Sequence, residues 1–186
     1  MSKFQVHTIE SAPEKSKTLL EGSVKSMGML PNLHGVLAES PAVLKAYKNL
    51  HQLFSTETDF NAEELTVIWQ TINVENECHY CVPAHTAIAH MMKIDAAITD
   101  ALRNKTKLPT EKLQALHDTT LRIVKSGGHL SQAEREAFYS AGYGNRHLLE
   151  ILLGYSQKII SNYANHLAET PTDAPFQKFA WAAEKV

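Results

Sequence analysis

Cysteine is nearly absent from this chain: 186 residues hold two, Cys78 and Cys81. A zinc site needs about four ligands, and no second cysteine pair exists to supply them. No apolar run approaches the roughly 18 residues of a membrane-crossing helix. The start, Met1 to Thr8, lacks the apolar core of a signal peptide, so a cytoplasmic protein is expected. In a reducing compartment a close cysteine pair points to catalysis or metal binding more than to a structural staple. An excess of one charge is missing too: 18 Lys and Arg, scattered, face 20 Asp and Glu. Neither a nucleic-acid surface nor an anionic-membrane surface is expected from that balance. There is no convincing strand, no low-complexity segment and no obvious linker. Without strand–helix alternation a thioredoxin-like domain is a poor match. A hydrophobic content of 44% supports a sizeable core, and the length suits one domain.

What is present is helical. Pro13 leads into a first helix, Glu14 to Met27, with proline in its first turn. Gly28-Met-Leu-Pro31 ends it. Ser40-Pro41 opens a second, Ala42 to Phe54, whose Val43, Leu44, Tyr47, Leu50 and Phe54 fall at helical spacing. Asn61 with Glu64 predicts a capping box for a third, Ala62 to Val74. A cysteine-bearing helix is expected from Cys78 to Met92. Asp95 caps a short helix to Arg103, and Thr110 starts another that ends at Gly127-Gly128. Ser131 and Glu134 predict a second capping box, for a helix stopping at Gly142. Asn145 starts the last, to Leu167. The tail carries Phe176, Phe179 and Trp181, too much aromatic surface to stay free, so it is expected to dock on its own domain or a neighbouring subunit.

The chemistry-bearing run is Glu75-Asn-Glu-Cys78-His-Tyr-Cys81-Val-Pro-Ala-His85. Helical steps of three and four residues would bring both thiols and the imidazole to one face. A helix N-terminus favours thiolate, and a histidine four residues on can take the thiol proton. Such a site can attack a peroxide with Cys81, condense the sulfenic acid with Cys78 and be reopened by an external reductant. Two plainer readings compete. The cysteines can be small core residues, or Cys78, Cys81, His85 and either Glu75 or His79 can hold one ion.

The segment Glu64-Leu-Thr-Val-Ile-Trp-Gln-Thr-Ile-Asn-Val-Glu-Asn-Glu-Cys78-His-Tyr-Cys81-Val-Pro-Ala-His85 resembles the core of the carboxymuconolactone decarboxylase superfamily, in its AhpD-like alkylhydroperoxidase, peroxidase-related branch. Leu30-Pro-Asn-Leu33, Ala38-Glu-Ser-Pro41 and Val43-Leu-Lys-Ala-Tyr47 look like the N-terminal arm of that branch. Asn162-Tyr-Ala-Asn-His166 and Phe179-Ala-Trp181 look like its C-terminal portion. The resemblance implies an all-α, single-domain bundle of about seven to eight helices. It would comprise an arm over 1–60, a core over 61–126, and C-terminal helices with a docking tail over 127–186. It also implies a homo-oligomer, often a trimer or hexamer, and a thiol peroxidase with no haem, flavin or metal. Cys81 would attack, Cys78 resolve and His85 relay protons.

One departure matters. Such enzymes often carry a relay glutamate twelve residues before the first cysteine, where this chain has Thr66. Glu64 lies about 200° around the helix from it, and Gln70 and Asn73 on the Thr66 face cannot act as bases. Glu75 is a possible replacement; alternatively Glu75 and Glu77 are simply acids at a helix start, where the dipole favours them. Tyr80 could donate to a bound oxygen or simply pack. His79 and His90 are expected outside the site. His166 could lie near it, and His7, His34, His51, His117 and His129 read as surface or cap positions. Two competing functions remain: a lactone decarboxylase, and a non-catalytic redox-sensing oligomeric module.

Overall fold

The computed structural model describes residues 4–183. Among these it contains nine α-helices, one 3-10 turn and no strand. The helices are α1 (Glu14–Met27), α2 (Asn32–Leu37), α3 (Pro41–Thr56), α4 (Ala62–Glu75) and α5 (Cys81–Met91). They continue as α6 (Ala96–Arg103), α7 (Glu111–Ser126), α8 (Gln132–Ser140) and α9 (Asn145–Ala168), and the 3-10 turn spans Ala174–Phe179. No helix among the described residues is long and apolar enough to cross a membrane.

Helix α4 is the axle. Every residue from Glu64 to Val74 is buried, as expected of a helix packed on all sides. It meets α5, α6, α7 and α9. Both predicted capping boxes form: Asn61 with Glu64, and Ser131 with Glu134. The Glu64 carboxylate also accepts from the Tyr143 hydroxyl at 2.9 Å and pairs with Lys112 at 2.8 Å. Those bonds make Glu64 an anchor for the start of α4. On one side of α4, Ile68, Ile72, Leu116, Phe138 and Ile151 form a core. Each such side chain contributes about 1.5–3 kcal/mol by leaving water. On the other side Leu20, Leu44, Ala84 and Phe176 enclose both cysteines.

Two boundaries differ from the sequence expectation. Helix α2 lies where a connector was expected, because six residues behind Pro31 are too few to display a period. It holds the N-terminal segment close: a Cβ on Gly35 would stand 2.7 Å from the His7 carbonyl oxygen. Helix α5 begins at Cys81 rather than Cys78. The tail docks on its own domain. Phe176 packs edge-on against Tyr80, Arg103 donates to the Phe179 and Ala180 carbonyls, and the Trp181 indole donates to the Arg103 carbonyl.

Gly154 lets α9 lie against α3, since a Cβ there would stand 2.7 Å from the Phe54 ring. Phe54 is fully buried. Gly154→Ala is expected to lower stability in urea unfolding, because overpacking costs about 1–3 kcal/mol and the gain in helix propensity returns about 1 at most. The double variant with Phe54→Leu should recover most of that loss.

Candidate active site

The thiols are presented by a tight turn between α4 and α5. Glu77 takes the left-handed conformation at φ 50°, and the Cys78 amide donates to the Asn73 carbonyl at 3.0 Å. This is a Schellman-type ending with glutamate where glycine is usual. It reverses the chain so that Cys78 precedes α5 and Cys81 becomes its first helical residue. The Cys81 amide then donates to Cys78 Sγ at 3.2 Å. The pair is thus held by a turn rather than by one helix face. Both cysteines are free thiols and buried.

Helix α9 supplies what the motif does not contain. The Asn165 side-chain amide lies 3.2 Å from Cys81 Sγ and 3.9 Å from Cys78 Sγ. Lys158 Nζ lies 2.8 Å from His85 Nε2, with Lys158 only 1% exposed. Burial pushes the Cys81 thiol up, but the hydrogen bond with Cys78, the Lys158 ammonium and the amides of Asn162 and Asn165 outweigh it and hold Cys81 at about 6. Burial pushes the Cys78 thiol far up, and its hydrogen bond to Cys81 and the charge there add to the effect. Cys81 is therefore the sulfur favoured as thiolate and Cys78 the one favoured as thiol. Burial and the neighbouring Lys158 hold His85 well below its ordinary value, so it is neutral at pH 7. Burial likewise pulls Lys158 down, opposed by the charge on the two sulfurs.

A polar ladder fixes this arrangement from behind. Gln70 donates to the Val82 carbonyl at 3.2 Å and to the Thr86 hydroxyl at 3.0 Å. Asn73 donates to Gln70, Asn162 donates to Asn73 and Asn76 donates to Asn162, at 2.9, 3.0 and 2.9 Å. The polar face of α4 thus carries no base but ties α4, α5 and α9 together. Thr66 turns its hydroxyl back to the Ala62 carbonyl at 2.8 Å.

In front of the thiol lies a cavity of about 50 Å³ lined by Cys81, His85, Lys158, Tyr47, Phe176 and other, mainly apolar, side chains. Cys78 is not among its lining residues. So Cys81, Cys78 and His85 are brought together as the sequence suggests, with one change: among the described residues no hydrogen bond joins His85 to either thiol, and its partner is Lys158. Glu75 is not part of this constellation; its carboxylate pairs with Lys125 at 3.3 Å. Tyr80 lines the cavity, but its hydroxyl donates to Asp173 and accepts the Leu33 amide at 3.3 Å. It therefore has no proton left for a bound oxygen. Asp173 also accepts the Asn32 amide at 3.1 Å, so Tyr80 and Asp173 latch the tail onto α2.

Among the histidines, His79 reaches the Thr170 carbonyl at 3.2 Å and His166 is exposed beside Tyr163. His34 corrects the surface assignment. It is buried, lines the cavity and bonds Ser23 Oγ through Nδ1 at 2.9 Å; burial, then Lys48 and His51, drive it down to about 3. His7 is buried as well, held by Ser11 and Glu39.

No family model and no curated protein matches the sequence. Solved structures do match. A peroxidase-related protein from Ralstonia eutropha JMP134, described as an alkylhydroperoxidase AhpD core, aligns with a TM-score of 0.81 at 21% identity over 94% of both chains. A peroxidase-related protein from Silicibacter sp. TM1040 gives 0.78 at 18% identity, covering 94% of this chain and 93% of its own. The debrominase Bmp8, in complex with 2,3,4-tribromopyrrole, gives 0.78 at 16% identity over 96% and 95%. The fold is the one shared by these AhpD-like, peroxidase-related proteins.

Tyr80→Phe separates a latch from a substrate donor. The latch assignment predicts a stability loss of about 1–3 kcal/mol from the stranded Asp173 carboxylate, with faster proteolysis of the tail and little change in Cys81 alkylation. A slower peroxide reaction at unchanged stability would make Tyr80 a substrate donor instead.

Proposed function

We propose that this chain is a cysteine-based peroxidase acting on small hydroperoxides. The observation that carries the reading is the position of Cys81: it is the sulfur favoured as thiolate and the cysteine that lines the cavity. The Cys81 thiolate attacks the terminal peroxide oxygen and becomes a sulfenic acid while the alcohol or water departs. Cys78, held behind it, displaces water to form the disulfide, and an external dithiol or thiol reductant resets the pair. A dithiol kept reduced between turnovers fits the cytoplasm. The assembly is a homo-oligomer. The exposed Leu149, Leu152, Tyr163 and Leu167 on α9 support this, as the kind of surface that a second copy would cover.

A second reading has support of its own. The same dithiol could take a bromine from an electron-rich ring, releasing bromide when Cys78 closes the disulfide, and the Bmp8 likeness and the apolar lining of the cavity favour it. The peroxide reading stands first because a thiolate with a resolving thiol behind it is all that it requires.

Pre-reduced protein should lose two thiols per cumene hydroperoxide or hydrogen peroxide consumed. Cys81→Ser should abolish consumption, whereas Cys78→Ser should stop at a sulfenic acid that dimedone traps. His85→Ala should slow the reaction at unchanged thiol count. Thiols that survive peroxide but release bromide from a bromopyrrole would establish the second reading. Thiols inert to both would leave a lactone enzyme or a redox-sensing module.

A further inference from the structure

The cavity has a proton-handling problem. A thiolate that attacks a hydroperoxide expels an alkoxide or hydroxide, which must be protonated, and no carboxylate lines the cavity among the described residues. Glu75 is engaged by Lys125, Glu64 by Tyr143 and Lys112, and Thr66 has nothing to give. The titratable groups facing the thiols are His85 on α5, Lys158 on α9, Tyr47 on α3, His34 on α2 and Tyr80 in the turn before α5, whose proton is committed to Asp173. His51 and Lys48 on α3, Cys78 in the turn and Asp173 in the tail act on these groups in turn. Of these, only Lys158 is both a cation and in direct contact with the motif histidine.

We propose that Lys158 is the proton carrier of this site, handing its proton across the 2.8 Å contact to His85 and so to the departing oxygen. The proposal rests on the peroxide reading for the identity of that oxygen, but not for the proton's movement when the disulfide closes. The cycle balances. It starts with Cys81 as thiolate, Cys78 as thiol and Lys158 as ammonium, a neutral set. Cys81 takes the terminal hydroxyl of the hydroperoxide as sulfenic acid, the O–O bond breaks, and the alkoxide leaves as alcohol with the proton from Lys158. The free amine then takes the Cys78 proton. The Cys78 thiolate attacks the sulfenic sulfur, and the expelled hydroxide takes that same proton back and leaves as water. The product is the disulfide with Lys158 neutral. An external dithiol returns two electrons and two protons, one to Cys78 and one to Lys158, and Cys81 is again the thiolate.

The physical reason is burial. Lys158 is 1% exposed; burial pulls it down, and the charge on the sulfurs is what opposes that pull. Once the sulfur charge disappears into the disulfide, a buried ammonium has no counter-charge, and its proton is the easiest one in the site to give up. The redox state of the sulfurs thus sets the protonation of Lys158.

Two measurements test this without assuming a peroxide substrate. Pre-reduced wild type is oxidised with one equivalent of diamide in weakly buffered phenol red at pH 7. The proposal predicts no proton uptake as the disulfide closes, because Lys158 supplies the proton; uptake of one proton per disulfide would overturn it. Iodoacetamide alkylation against pH shows that Cys81 starts as thiolate. Its midpoint should be about 6 in wild type and move toward the ordinary value of about 8.5 in Lys158→Met. A midpoint unmoved in Lys158→Met would overturn the pairing. Lys158→Arg then separates charge from proton transfer, since arginine keeps the charge but does not give up its proton. Its alkylation profile should match wild type, while its peroxide reaction should be slower by about tenfold or more. A Lys158→Arg protein that consumes peroxide at the wild-type rate would overturn the carrier role. If wild type consumes no peroxide yet closes its disulfide without proton uptake, the carrier role stands and the peroxidase reading fails alone.

Discussion

The site depends on one buried polar cluster: Lys158 meets His85 at 2.8 Å, shares the lining of one cavity with Cys81, and by its charge favours the thiolate there. Either charge alone in this interior would carry a desolvation penalty on the order of several kcal/mol. Together, with the Asn165 amide on the sulfur and His85 on the ammonium, each is tolerated. The cluster also ranks the two thiols. Cys81 sits at the start of α5 with donors around it and is favoured as thiolate, whereas Cys78 is enclosed and favoured as thiol. Two chemically identical residues are thus given different environments, one favouring thiolate and the other thiol.

The contacts of Lys158 with His85 and of Asn165 with Cys81 need α5 and α9 fixed relative to each other to within a hydrogen bond, and α4 does the fixing. Its buried Gln70 and Asn73 bond to α5 on one side and to Asn162 of α9 on the other. Such a network helps only when its members are satisfied, and its links here run without a break from Thr86 to Asn76. The tail closes the front. Asp173 grips Tyr80 and α2, and Phe176 walls the cavity.

The helices were legible because their ends carry local signals. Asn61 with Glu64, Ser131 with Glu134, Asp95, Thr110 and Gly127 all cap as their chemistry predicts. Cys78, Cys81 and His85 were legible because a short motif lies in one stretch of chain. Three things were not. Helix α2 is too short to show a period. The true start of α5 depends on Glu77 entering the left-handed region, which glutamate does not announce. Lys158 and Asn165 lie 73 and 84 residues beyond their partners, so no local spacing links them. A signal did exist in α9. Gln157, Lys158, Ser161, Asn162 and Asn165 form one polar stripe and are buried, while Leu149, Leu152, Tyr163 and Leu167 on other faces are exposed. A helix that turns its polar stripe inward is serving a site rather than a core.

The most direct test is a thiolate titration of the pre-reduced protein, following absorbance near 240 nm from pH 4 to 10, with Cys81→Ser alongside. The account predicts one thiolate ionising with a midpoint of about 6, lost in Cys81→Ser. A first ionisation at or above about 8.5, the value of a free cysteine, would contradict it, because the buried ammonium would then be doing nothing for the sulfur.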